Sequence, residues 1–102
     1  MKFPTLLVVS MSAVLIASPV AFAGDAAAGK AKAQSCVSCH GMNGKSTNPN
    51  NPNLAGQKKN YLIKAMKAYK SGDRKDPMMS SLMGSLSDAD MENLAEFFSS
   101  VK

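Results

Sequence analysis

Both cysteines and the only histidine of this 102-residue chain fall within five consecutive residues, Cys36-Val37-Ser38-Cys39-His40. That concentration matters because little else is available to hold a fold together. Residues Leu6 to Ala17 form a 12-residue apolar run behind the positive charge of Lys2. The run is too short to cross a bilayer comfortably, and Ala21-Phe22-Ala23 has the small-x-small pattern of a signal-peptidase site. The pattern predicts a cleaved secretory signal over residues 1–23 and a single domain over residues 24–102, exported to the periplasm with no stable membrane anchor. The 79 residues of that domain exclude a large α/β enzyme or a two-domain arrangement. Chains of this size usually need a disulfide, a metal or a cofactor in addition to their side-chain core.

The remaining composition favours helices. Residues 24–102 hold no Trp and few β-branched side chains, while Ala, Met, Lys and Ser are plentiful. The expected fold class is therefore all-α. With Lys2 removed the net charge falls from +5 to +4. A modest positive balance suits an acidic protein partner, and no interleaving of aromatic and basic residues points to nucleic acid.

Asp25 is a candidate N-cap, and Ala26 to Ser35 is rich in strong helix formers, so a first helix should lead straight into Cys36. Gly41 to Gly56 is a run of turn residues and predicts a long surface loop. In so small a domain a loop of that length is expected to be functional or to wrap a ligand. From about Gln57 to Ser71, Leu62, Ala65, Met66 and Tyr69 recur at i, i+3, i+4 and i+7, with Gly72 as the stop. Asp73 to Leu86 reads as a second irregular segment, since Pro77 disfavours helix at Asp76. Ser87-Asp88-Ala89-Asp90 approximates a capping box, and Met91, Leu94, Ala95 and Phe98 form the stripe of a final helix.

C-x-x-C-H is the attachment motif of a c-type haem. Two residues between the cysteines let both sulfurs reach the two vinyl groups on one porphyrin edge as thioethers, and the adjacent His40 then lies beneath the iron as an axial ligand. Other uses of these groups fit less well. A Cys36–Cys39 disulfide would close a very small loop and contribute little entropic stabilisation. A thioredoxin-like redox site needs a strand before the motif, and none is readable there. Structural zinc needs a fourth ligand, but the chain has no further Cys or His.

A haem iron held by His40 has one more axial position. Methionine thioether, lysine, water or an open site could occupy it. Met42 is too close to the attachment site to reach the opposite face, and Met66 and Met91 lie on helix stripes as core. Met78, Met79 and Met83, in the segment read as irregular, remain.

Taken together, C-x-x-C-H near the start of the domain, Asn51-Pro52-Asn53-Leu54-Ala55-Gly56-Gln57, Tyr61-Leu62, Asp76-Pro77-Met78-Met79 and Leu86-Ser87-Asp88 resemble a class I c-type cytochrome. More narrowly, the chain is similar to the small single-haem periplasmic cytochromes related to one half of the dihaem cytochromes c. The resemblance spans residues 24–102. It implies a small cytochrome c fold of three to four short helices around one covalent haem c. In that family the ligand methionine precedes the Ser of the last helix by eight residues, which implies Met79, with Met78 and Met83 as rivals. It further implies that the Pro52 carbonyl accepts a hydrogen bond from His40 Nδ1, and that Gly29 and Ala33 let the first helix approach Leu94, Phe97 and Phe98. Some relatives contact a haem propionate through Trp; this chain has none, and Tyr61 is the substitute to consider.

A His40/Met79 pair would leave no vacant site on the iron, so the expected function is one-electron shuttling between respiratory redox partners rather than enzymatic catalysis. No acid/base pair, nucleophile or second metal site suggests an enzyme. Contact with a membrane or periplasmic oxidase, reductase or dehydrogenase should be transient and electrostatic, around a haem edge rimmed by lysines such as Lys45, Lys58 or Lys59. The alternatives are a haem sensor or ligand-binding protein with an open or weakly held sixth site, and a fixed subunit of a larger redox enzyme.

Overall fold

The computed structural model describes residues 2–5, 10, 12 and 24–102. The expected signal segment over residues 1–23 lies mostly outside the described residues. Among the described residues the regular elements are all helical: α1 (Ala26–Lys32), α2 (Val37–His40), α3 (Lys59–Ser71), α4 (Pro77–Gly84) and α5 (Asp88–Ser100), with 3₁₀ turns at Ala33–Cys36 and Met42–Gly44. None of these helices is long and apolar enough to cross a membrane.

Asp25 caps α1 by accepting from the backbone N–H groups of Ala27 and Ala28 at 2.9 and 3.2 Å. The helix tightens to 3₁₀ geometry over Ala33–Cys36 and continues as α2, so the first helix leads directly into Cys36 as expected.

The core lies where α1 and α3 pack on α5. Met91, Leu94 and Ala95 are essentially fully buried, joined by Phe97, Phe98, Ala33, Leu62, Met83 and Leu86. The Phe97 and Phe98 rings stand 5.1 Å apart and tilted by 50°, within the favourable range for an aromatic pair. Gly29 makes the α1–α5 approach possible, since a Cβ there would lie 2.0 Å from the Asn93 carbonyl oxygen and 2.9 Å from Phe97 Cβ. Asn93 also accepts the Asp25 N–H at 2.8 Å, which pins the start of α1 to the same helix. Ion pairs Lys32–Asp90, at 3.6 Å, and Lys59–Glu96, at 3.0 Å, tie α1 and α3 to α5 across the surface.

The segment expected to be irregular from Asp73 to Leu86 contains α4. Asp76 is extended, at φ −143° and ψ 115°, as a residue before proline should be, yet its carboxylate accepts from the N–H groups of Met78 and Met79, each at 3.0 Å. Pro77 occupies the first helical turn, where its missing N–H costs nothing. Asp-Pro was thus a helix start, not a helix break. Before it, Gly72 adopts the left-handed conformation at φ +88° that ends α3, and the Arg74 guanidinium lies 4.4 Å from the Tyr69 ring centroid.

Ser87 and Asp90 complete the capping box of α5 reciprocally, with both hydrogen bonds at 3.0 Å. The Asp90 carboxyl is held below its ordinary range, chiefly by the Ser87 backbone N–H, and its nearness to Lys32 adds to the effect.

Candidate haem-binding site

The attachment motif is carried by a single turn. Cys36 ends the 3₁₀ segment, Cys39 lies three residues on in α2, and His40 is the last residue of that helix. A separation of three places both thiols on one face of a helical chain. Both cysteines are free and half-buried. Burial raises the Cys36 thiol above its ordinary range; a hydrogen bond from Ser35 pulls the other way, and charge on Cys39 adds to the rise.

Gly41 follows at φ +80° and ψ 168°, a conformation only glycine adopts freely, and a Cβ there would lie 2.0 Å from the Lys45 carbonyl oxygen. The chain therefore turns sharply after His40. The loop to Gly56 is closed by main-chain bonds: Gly44 accepts from the N–H groups of Leu54 at 2.8 Å and Ala55 at 3.1 Å, and Gly56 donates to Phe98 at 2.9 Å. Ser46 donates from its backbone to Asn53 at 2.7 Å. These bonds bring Pro52 back to the histidine.

His40 is 8% exposed, and its Nδ1 lies 2.9 Å from the Pro52 carbonyl oxygen. A carbonyl only accepts, so Nδ1 carries the proton in this contact and the neutral ring keeps its lone pair on Nε2. Nε2 makes no hydrogen bond, and no side-chain nitrogen or oxygen among the described residues is both fully buried and unpartnered. Nε2 is thus the ring nitrogen left to bind a metal, in the same helical turn as two free thiols. That donor set fits a covalently held haem: two sulfurs for the vinyl carbons and one oriented imidazole for the iron.

The three candidate methionines of α4 differ in environment. Met83 is 3% exposed within the core and Met78 is 66% exposed, while Met79 is half-buried and packs against the core from its edge. Its N–H is one of the two held by Asp76. Met42 is 69% exposed just after the attachment motif, and Met91 is buried in the core. Tyr61, in the first turns of α3, is 52% exposed. Lys45 and Lys58 are exposed, whereas Lys59, expected beside them at a docking rim, is drawn onto Glu96 at 3.0 Å and Glu92 at 3.7 Å. The Glu96 carboxylate hydrogen bond is the main cause of the raised proton affinity of Lys59. Two parts of the site were missed from sequence: Gly41, whose signal was its place directly after the histidine, and the Asp76 cap, whose signal was the Asp-Pro pair.

A small all-helical domain with this motif at the end of its first helical segment defines a haem-attaching fold of cytochrome type. The sequence model for Cytochrome c matches residues 26–102, and the chain belongs to that family. The chain is 50% identical over 80 residues to cytochrome c4 of Pseudomonas aeruginosa, a match covering 78% of this chain and 40% of that protein. It is 44% identical over 81 residues to cytochrome c-554(548) of Halomonas halodenitrificans, covering 76% of this chain and 98% of that one. The crystal structure of reduced recombinant cytochrome c4 from Pseudomonas stutzeri superposes with a TM-score of 0.75 at 43% identity, over 78% of this chain and 47% of that chain. The chain thus spans less than half of the cytochromes c4 it matches and nearly all of cytochrome c-554(548). The family's cofactor is covalent haem c, and Cys36 and Cys39 have the spacing it requires.

Proposed function

We propose that the chain is a periplasmic one-electron carrier whose haem c is held by Cys36 and Cys39, with His40 Nε2 and Met79 sulfur as axial ligands, passing electrons between respiratory redox proteins. The bound haem iron supplies a reversible one-electron change between ferrous and ferric. The rest is protein work. Pro52 orients His40 and raises its basicity through the Nδ1 hydrogen bond. The Met79 thioether favours the ferrous state relative to a second imidazole. An apolar surround penalises the extra positive charge of the ferric state, and both effects raise the potential.

The observation that carries this reading is the difference among the α4 methionines. Met83 is committed to the core, whereas Met79 packs at the core's edge with its N–H held by Asp76, at the spacing before Ser87 that the family resemblance assigns to the ligand. A relative 38% identical over 69 residues is named a thiosulfate dehydrogenase electron acceptor, which supports a carrier role for a chain of this kind. Exposed Lys45 and Lys58, with exposed Met42 beside the attachment motif, suit brief docking on an acidic partner. Tyr61 is the side chain proposed to approach a haem propionate.

The test is a reduced-minus-oxidised absorption spectrum of the haem-loaded protein, including the weak far-red ferric band that reports methionine sulfur on iron. The measurement is repeated on Met78→Ala, Met79→Ala and Met83→Ala. Loss of the band in Met79→Ala alone is the expected result. A wild type without the band, binding carbon monoxide rapidly, would overturn the ligand pair and turn the reading to a haem sensor.

A further inference from the structure

Helix α4 carries the proposed ligand, but the α3–α4–α5 segment holds it at its two ends by different means. At the start, Asp76 caps the Met78 and Met79 N–H groups. Beyond the end, the chain runs through Ser85 and Leu86 into the Ser87 cap of α5, and the Leu86 carbonyl lies in neither helix. No backbone N–H among the described residues reaches that carbonyl; the Lys70 ammonium does, donating from the last turn of α3 across 16 residues of sequence. Leu86 itself is 7% exposed and belongs to the core, while Lys70 reaches its carbonyl from the surface through a partly buried bond.

We propose that Lys70 is a positioning residue for the axial methionine. Its ammonium clasps the α4–α5 junction to α3 and so holds the helix from which Met79 would ligate a haem iron. This rests on the His40/Met79 reading above. Without the clasp α4 keeps the core packing of Met83 and Leu86 but loses the charged tie from its far end to α3, so the state with Met79 swung away becomes more populated and the haem site opens without the domain unfolding. Lys70 touches neither haem nor partner in this role; it acts through the Leu86 carbonyl.

Imidazole binding to the ferric, haem-loaded protein reads this opening, because imidazole reaches the iron only from the fraction in which Met79 has left, so its apparent affinity scales with that fraction. Lys70→Met keeps the length and helix preference of the side chain and removes the donor. It is expected to bind imidazole about tenfold more tightly than wild type, the scale of one lost charged hydrogen bond. Lys70→Arg, which can still donate, and Lys67→Met, exposed like Lys70 and on the same helix but without its bond to Leu86, should stay near wild type. A Lys70→Met affinity equal to that of Lys67→Met would overturn the proposal, as would a lowered melting temperature with unchanged imidazole affinity, which marks a purely structural role. Met79→Ala separates the two readings. If it binds imidazole no more tightly than wild type, Met79 is not the ligand and both fall together. If it binds far more tightly while Lys70→Met does not, only the clasp is wrong.

Discussion

The Nδ1 of His40 donates to the main-chain carbonyl of Pro52 across 2.9 Å, joining the end of α2 to a residue 12 positions away in the loop. The carbonyl belongs to a proline, whose restricted φ limits how far it can drift. One contact thereby sets both the tautomer and the orientation of the proposed iron ligand.

Pro52→Ala keeps the carbonyl but frees the loop. It should cost about 0.5–1 kcal/mol through the greater entropy of the unfolded chain. A less well held hydrogen bond also makes the imidazole a weaker donor, which disfavours ferric iron, so the reduction potential should rise. Redox titration of wild type and variant checks the sign; a fall would refute the proposed role of the contact.

Removing both thiols by Cys36→Ala with Cys39→Ala should leave a chain with no covalent haem and no cooperative melt. The domain has nine buried apolar residues for its whole core, so the cofactor must supply much of the stability. Circular dichroism during heating tests this: a sharp transition in the haem-free variant would contradict it.

The α4 methionines should separate by stability as they do by spectrum. Met83→Ala should cost about 2–5 kcal/mol as a core truncation, with the far-red band retained. Met78→Ala, being exposed, should stay within about 0.5 kcal/mol of wild type. Denaturant unfolding of the haem-loaded variants measures both.

Gly29→Ala should destabilise by about 1–3 kcal/mol, because the added methyl meets the Asn93 carbonyl, a backbone group that can yield only if α1 moves off α5. Gly84→Ala, where a Cβ meets nothing within 4 Å, is the control and should be neutral or slightly stabilising.

The Asp90 carboxyl has a lowered proton affinity in the folded state, so its contribution is present above the ordinary carboxylate range near pH 4 and is lost as pH falls through the lower folded value. Asp90→Ala should cost about 1 kcal/mol at neutral pH, as the loss of a cap, and less in acid. Melting temperatures of wild type and variant at neutral and acid pH should therefore converge as pH falls.

What the sequence determined by itself was local. Cys36, Cys39 and His40 declare their chemistry by adjacency, since a spacing of three and a neighbouring residue need no tertiary contact to be meaningful. The α3 and α5 stripes, the Gly72 stop and the Ser87 cap were equally readable, because each depends on side chains within one or two turns. The expectation of export, with a signal over residues 1–23, rests on that local pattern alone. Where reading failed, two local rules competed: Pro77 forbids helix at Asp76 and also favours helix just after it, and only the packing of α4 on α3 decided for the second. The long-range choices were beyond local pattern. That the Pro52 carbonyl, rather than another in the loop, meets His40 depends on the loop closing through Gly44, Leu54 and Ala55. That Lys59 turns to Glu92 and Glu96, while Lys70 turns to Leu86, depends on where α5 crosses α3. The three nearly adjacent methionines are chemically identical in sequence. Burial, a property of the assembled helices, is what makes Met83 core, Met78 surface and Met79, the proposed ligand, intermediate between them.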